Sequence, residues 1–264
     1  MFKKMSFIER KLRNFSLKVF NSIENNGNAN FDKNGEKVFI DFLLTSFKNG
    51  RGGEKVVFDI GANIGDYSEM IKNKAKLLNL DIELHLFEPT KSCFETISQK
   101  FKDDINVFLN NFGVSDKNGE ATIFYDKEKS GLASLYQRNL DIYSLQLNQT
   151  ESIKLIRLDN YIEENNINHI NFIKIDIEGH ELKAFEGLGK YLNCGFIDYI
   201  QFEYGGANLD SHTSLMEIYK FLQERGFKIA KVMRKGLEIR KYSPFMDNFN
   251  YANYVAISNE VIKG

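Results

Sequence analysis

Four acids stand at the ends of apolar runs. Asp59 sits in VVFDI (56–60), Glu88 ends ELHLFE (83–88), Asp176 ends NFIKID (171–176) and Glu203 ends FIDYIQFE (196–203). Desolvating a carboxylate is costly unless it has a polar partner. One such acid is unremarkable, whereas four in register indicate a polar crevice. Directly after the first run comes GANIG, with Gly61 and Gly65 flanking Asn63. Glycines let backbone amides approach a ligand closely. A pyrophosphate-binding turn reads GxGxxG, and here Asn63 replaces the middle glycine. The spacing suits a smaller zwitterionic group beside Asp59. Glu88 lies 27 positions after Gly61, where an acid accepts hydrogen bonds from ribose hydroxyls. A tight strand–helix turn alone would show the same glycines. The addition of Glu88 makes a nucleoside-bearing ligand the better reading.

Positioning these residues requires strands that end along one edge. VVFDI reads as a buried parallel strand. ELHLFEP (83–89), INVFLNN (105–111), NFIKIDIEG (171–179), FIDYIQFEYGG (196–206), KIAKVM (228–233) and NYVAIS (253–258) supply six more. Helical stretches alternate with them at 67–78, 90–101 with Thr90 as N-cap, 159–166, 180–192 and 214–225. GEATIFYD (119–126) and SIKLIRL (152–158) break the alternation as an extra hairpin strand and a further strand. The pattern predicts an α/β fold, a doubly wound and mainly parallel seven-stranded sheet, with an N-terminal helical extension. Right-handed crossovers put the turns on one edge.

That extension spans residues 1–53, followed by the main domain at 54–264. Ile8, Leu12, Phe15, Val19 and Ile23 recur at helical spacing, among Lys3, Lys4, Arg10, Lys11, Arg13 and Lys18. Such a face packs on the main domain or a second subunit, which would make a homodimer. The alternative is weak peripheral contact with an anionic membrane. A loop at 25–34 precedes a second helix through Val38, Phe39, Phe42, Leu43 and Phe47, and NGRGG (49–53) ends the segment.

The chain has 264 residues, 42% of them hydrophobic, enough for a substantial core, and a formal net charge of −1. That balance gives no broad footprint for nucleic acid. Cys93 and Cys194 form no CxxC pair, so neither a zinc site nor a disulfide framework is expected, and a cytoplasmic setting fits. No apolar stretch approaches the roughly 20 residues of a membrane span.

Taken in order, FDIGANIGDYS, FEP, NNFGVSDKNGEATIF, LDNYI, IKIDIEGHELKAFEGL and a strand ending in Glu203 resemble the FkbM family of class I S-adenosylmethionine-dependent methyltransferases. The match covers roughly residues 54–204. The resemblance implies S-adenosyl-L-methionine as cofactor. It implies that Asp59, Gly61, Asn63 and Gly65 surround the methionine part and that Glu88 takes the ribose hydroxyls. Phe87 and Pro89 would flank the sugar, Asn111, Phe112 and Gly113 would border adenine, and Asp176 would lie beside the sulfonium. It also points to an O-methyltransferase whose acceptor is small and hydroxylated, a sugar or nucleotide-sugar of surface polysaccharide biosynthesis.

Such a hydroxyl needs an aligned base. His180, with an ordinary pKa of about 6.5, is one candidate, and a helix-capping role competes with it. Glu178 would orient the acceptor. Glu203 would be a base or hold His180 in one tautomer. Asp176, Glu178 and Glu203 could ligate magnesium, although a hydrogen-bonded cluster without metal is simpler. Residues 131–139 would form a cover. Tyr125, Tyr136, Tyr204 and Arg138 would contact a sugar or phosphate unless they merely pack, and Gly205 and Gly206 would open space for it. The competing functions are an NAD-dependent oxidoreductase and a non-catalytic assembly or binding subunit.

Overall fold

The computed structural model describes residues 4–50 and 53–263. Lys3, and Arg51 and Gly52 of the predicted joint, lie outside the described residues. The elements in order are α1 (Phe7–Ile23), α2 (Glu36–Asn49), β1 (Lys55–Ile60), α3 (Asp66–Leu78), β2 (Ile82–Phe87), α4 (Lys91–Lys100), β3 (Val107–Asn110), β4 (Gly113–Val114), β5 (Gly119–Tyr125), β6 (Gln149–Ile156), α5 (Leu158–Glu164), β7 (Ile170–Ile175), α6 (Glu181–Gly187), β8 (Ile197–Tyr204), α7 (Gly206–Asp210), α8 (Leu215–Gln223), β9 (Phe227–Met233), β10 (Gly236–Ile239), β11 (Ala252–Ser258) and α9 (Asn259–Lys263).

The main sheet runs β10-β9-β11-β8-β7-β1-β2-β3. β11 is antiparallel to both β8 and β9, and β10 to β9; the pairs among β3, β2, β1, β7 and β8 are parallel. All seven expected strands are present. The eighth, β10, was not expected. It is four residues long, GLEI, too short to show an alternation, and it folds back on β9 through a turn at Arg234 and Lys235 that Gly236, with φ 140°, closes. The strand order reverses between β1 and β7, where doubly wound sheets leave a crevice.

Each face of the sheet has its own apolar layer. On one, Phe58, Ile173, Ile200 and Phe202 meet α5, α6 and α8 through Leu158, Phe185 and Leu222. On the other, Val57, Leu84, Phe172 and Tyr199 meet α3 and α2. Phe39, Ile40, Leu43, Leu44 and Phe47 of α2 all belong to this second layer. Val38 and Phe42, read from sequence as part of the same helix, lie on it but remain exposed. α1 differs, because none of its residues is buried. The expected packing of its apolar face on the main domain is therefore absent.

A small second sheet, β4-β6-β5, stands beside the parallel edge. The segments read as an extra hairpin strand and a further strand pair there, antiparallel from Gly119↔Leu155 to Tyr125↔Gln149. The helix expected over 180–192 stops at Gly187 and resumes as a short 3-10 turn at Gly189–Tyr191. Gly189 has φ +53°, and a β-carbon on Gly187 would come within 2.1 Å of the Ser115 carbonyl oxygen. Close approach to Ser115 requires a glycine at 187 and the left-handed backbone favours one at 189, and together they interrupt the helix.

Candidate active site

The parallel registers align Ile60 with Phe87 and with Ile175. Gly61, Glu88 and Asp176 therefore emerge at one level on the carboxyl edge. Ile175 pairs with Phe202, which brings Glu203 level with Asp176. Asp59 lies one step inside the edge, fully buried.

Gly61 (φ +83°) and Gly65 (φ +81°) are left-handed. Their space is taken by protein: a β-carbon on Gly61 would lie 1.9 Å from the Asp176 carbonyl oxygen, and one on Gly65 would lie 2.9 Å from Phe101. The glycines let the turn press against β7 and α4. Asn63, also left-handed at φ +48°, donates its backbone N–H to Glu88 Oε2 at 2.8 Å and its side-chain amide to the Ser130 carbonyl at 2.9 Å. Glu88 Oε1 accepts from the Thr90 N–H at 2.9 Å and the Thr90 hydroxyl at 2.6 Å. Thr90 holds the N-cap position of α4, yet its hydroxyl serves Glu88 rather than the helix. Burial raises the Glu88 carboxyl against the pull of these donors.

A cleft with about 770 Å³ of empty space, part of it open to solvent, lies over this edge. Gly61, Asn63, Glu88, Pro89, Phe112, Gly113, Asp176, Glu178 and His180 line it, with an apolar wall from Ile123, Ile153 and Leu155 of the second sheet. Asp59, Gly65, Asn111 and Glu203 are not part of the lining. Asn111 instead donates to the carbonyls of Glu88 and Pro89 at 2.9 and 3.1 Å, bracing their turn. Ser130, Gly131, Ala133 and Leu135 form one side of the cavity, so the glycine-containing loop does border it. Ser134 ties that loop down by donating to the Glu178 carbonyl at 2.8 Å.

The acids are held by two cations. Lys174 Nζ donates to Asp176 Oδ2 at 2.7 Å, and Arg138 Nη1 to Glu178 Oε2 at 2.5 Å. Burial opposes ionisation of Asp176, but the Lys174 ammonium outweighs it and holds that carboxyl below its ordinary value. Glu178 is pushed up to about 8 by burial and by Asp176, with Arg138 opposing. Glu203 is raised far above its usual range by burial and the neighbouring acids. Oxygens of Asp176, Glu178 and Glu203 all come within 4.8 Å of one another, so protons are shared there or a cation enters. Asp59 receives the Ser68 hydroxyl on Oδ2 at 2.5 Å, while its buried Oδ1 has no partner. Burial raises it.

His180 is neither a surface cap nor a free base. It sits at the N-cap of α6 but makes no capping hydrogen bond. Nε2 lies 2.9 Å from the Ser115 hydroxyl and Nδ1 2.9 Å from the Tyr136 hydroxyl. Ser115 donates onward to Asp116, so Nε2 carries the proton and Nδ1 accepts from Tyr136, a tautomer inferred from the network. Burial pushes the imidazole down to about 4, leaving it neutral. Its partners are these hydroxyls, and Glu203 is not among them.

Three further residues shape the site, none of them anticipated. Lys174 lies directly across from Asp59 and Gln201 in neighbouring strands. A lysine inside NFIKIDI, two residues before Asp176 and so on its face of the strand, was the available signal. Glu181, fully buried and raised to about 7 mainly by burial, accepts from Gly179 N–H at 3.1 Å. It thereby supports a turn in which Glu178 itself is left-handed at φ +49°. Ser115 gave no local signal, since its partner is 65 residues away. Tyr204 is a core residue, its hydroxyl donating to Asp247 at 2.7 Å. Gly205 backs onto Tyr251, with 3.2 Å from a notional β-carbon to its Cα, so it frees no space for an acceptor.

The family model described as the methyltransferase FkbM domain matches residues 59–229. The chain belongs to the FkbM methyltransferase family. S-adenosyl-L-methionine is accordingly its cofactor, and the oxidoreductase alternative falls. A curated relative, the hexuronic acid methyltransferase AglP of Haloferax volcanii, is 23% identical over 209 residues, 76% of this chain and 78% of that protein. Among solved structures, methyltransferase FkbM from Methylobacillus flagellatus KT aligns over 85% of this chain at 15% identity and a TM-score of 0.49. This chain spans 50% of that protein's length. The plantazolicin methyltransferase BpumL, solved with SAH, aligns over 96% of this chain and 91% of its own at 12% identity and a TM-score of 0.42. The FkbM assignment agrees with the strand order and with the cavity at its reversal point. The site fits the cofactor chemically: a carboxylate on the cavity wall at the end of β2, a second, Asp176, at the end of β7, and an apolar slot between Phe112 and the second sheet.

Proposed function

We propose that this FkbM protein methylates a hydroxyl of a small polar acceptor, a sugar or sugar acid. The observation that carries the reading is Glu178, a carboxyl in the cavity wall raised to about 8 by burial and Asp176. A base tuned near neutral pH is what deprotonation of a hydroxyl requires. The relative's activity on a hexuronic acid supports the acceptor class.

In this reading Asn63, Glu88, Phe112 and Gly113 hold the nucleoside part, and Gly61 and Asp176 the methionine part, with buried Asp59 bracing the turn beneath them through Ser68. When bound, the sulfonium supplies a methyl group already activated for displacement. The protein's task is to orient the acceptor and take its proton. A second cleft, bounded by Phe31, Glu36, Tyr67, Lys174 and Tyr251, shares Asp176 as a wall with the cofactor cavity. Its aromatic faces and hydrogen-bonding groups suit a hydroxylated ring. Glu178 in its ionised form accepts the acceptor's hydroxyl proton while Arg138 holds the carboxylate in place. Lys174 keeps Asp176 ionised through that step. His180, neutral and tied on both sides, fixes the position of the 177–180 turn.

The test is release of S-adenosylhomocysteine with panels of uronic acids, neutral sugars and nucleotide-sugars, for wild type and Glu178→Gln. Because the base works only when ionised, turnover should rise with pH and level off above about 8. Glu178→Gln should lower kcat by about 10²–10⁴-fold with cofactor affinity retained. Methylation of nitrogen or carbon acceptors only, or an unchanged kcat in the variant, would reject the assignment.

A further inference from the structure

α1 is built as a stable helix yet buries nothing. Ser6 and Glu9 form a reciprocal capping box at its start. Its far end is fixed to the body: Phe20 packs edge-on against Phe245 at 6.1 Å, and Glu24 pairs with Lys231 and Arg240. Between these ends, Ile8, Leu12, Phe15, Val19 and Ile23 fall within about 80° of one another around the helix axis. Their exposures are 76, 64, 66, 41 and 68%. A contiguous apolar stripe left in solvent marks an interaction surface.

The charge on the same segment selects the partner. Residues 4–23 carry Lys4, Arg10, Lys11, Arg13 and Lys18 against Glu9 alone, a net charge of +4 on a chain whose total is −1. Lys11 and Lys18, seven residues apart, run along one border of the stripe. Two copies meeting stripe to stripe would bring these like charges together. An anionic lipid surface would neutralise them and take up the stripe. At 17 residues, α1 is about 25 Å long, and no described helix is long and apolar enough to cross a membrane. The geometry points to α1 as an in-plane anchor on an anionic lipid surface, with the stripe at the acyl boundary and the basic residues among the phosphates. The main domain is then held at that surface through the contacts at Phe20 and Glu24.

The test is co-sedimentation of the full chain with vesicles of phosphatidylglycerol and phosphatidylcholine, and with vesicles of phosphatidylcholine alone. Binding to the anionic vesicles is expected, weakening steeply with salt. Leu12→Ser with Phe15→Ser should weaken it at least tenfold. Lys11→Gln with Lys18→Gln should weaken it about thirtyfold at low ionic strength. All four side chains are exposed, so the fold should tolerate both pairs, and circular dichroism checks this. The proposal is overturned by absence of binding to anionic vesicles or by equal, salt-independent binding to both kinds. A dimer dissolved by Leu12→Ser with Phe15→Ser but untouched by anionic vesicles would overturn it too, assigning the stripe to a second copy.

Discussion

Glu88 shows how a single side chain can be prepared for a ligand. A carboxylate offers about four lone-pair positions, and Thr90 and Asn63 occupy three. These donors fix its two oxygens while one face remains on the cavity. Hydrogen bonds to a charged group contribute about 1.5–3 kcal/mol each. Glu88→Ala should therefore weaken S-adenosylmethionine binding at least tenfold by calorimetric titration. Affinity equal to wild type would reject the proposed ribose role of Glu88. The acid was legible in the sequence because it ends an apolar strand. Thr90 was read only as a helix cap, since its second use depends on the turn that brings its hydroxyl back onto Glu88. Lys174 and Glu181 were missed for a related reason. Lys174 did leave a local trace, two residues before Asp176 on the same strand face, but its contact across to Asp59 and Gln201 is set by strand register. The role of Glu181 depends on a turn in an unusual conformation. Local patterning encodes neither.

At the scale of elements, the glycine turn carries the junction between β1 and β7. Sequence spacing located that turn but suggested that its bareness serves the ligand directly. The packing shows a prior demand, because the Asp176 carbonyl already occupies the space beside Gly61. Gly61→Ala would add left-handed strain of about 1–2 kcal/mol to overpacking of about 1–3 kcal/mol. Denaturant unfolding should show a loss of about 2–5 kcal/mol. Gly27→Ala, also left-handed but with open space around it, should cost only the strain. Equal losses in the two variants would show that the contact with β7 is unimportant. Strands were read well because each is a short apolar run with a polar stop. β10 and the break in the 180–192 helix were not, because a polar hairpin and a glycine packed against another strand leave no periodic trace.

At the scale of the whole molecule, the N-terminal segment divides into two parts with opposite relations to the body. α1 buries nothing, whereas α2 contributes five side chains to one of the two core layers. Burying an aliphatic or aromatic side chain contributes about 1.5–3 kcal/mol, so those five account for about 7–15 kcal/mol. That is comparable to the total stability of a typical domain, about 5–15 kcal/mol. α2 also carries Glu36, which accepts from Gln201 at 2.7 Å beneath Lys174, linking the helix to the sheet near the site. Removing residues 1–19 should therefore leave the cooperative unfolding midpoint within a few degrees of the full chain. Removing residues 1–50 should abolish cooperative unfolding and cofactor binding together. Differential scanning calorimetry on both truncations separates the cases. A shorter chain that melts cooperatively and binds S-adenosylmethionine would show that the sheet is complete without α2, and that the whole segment is an appendage.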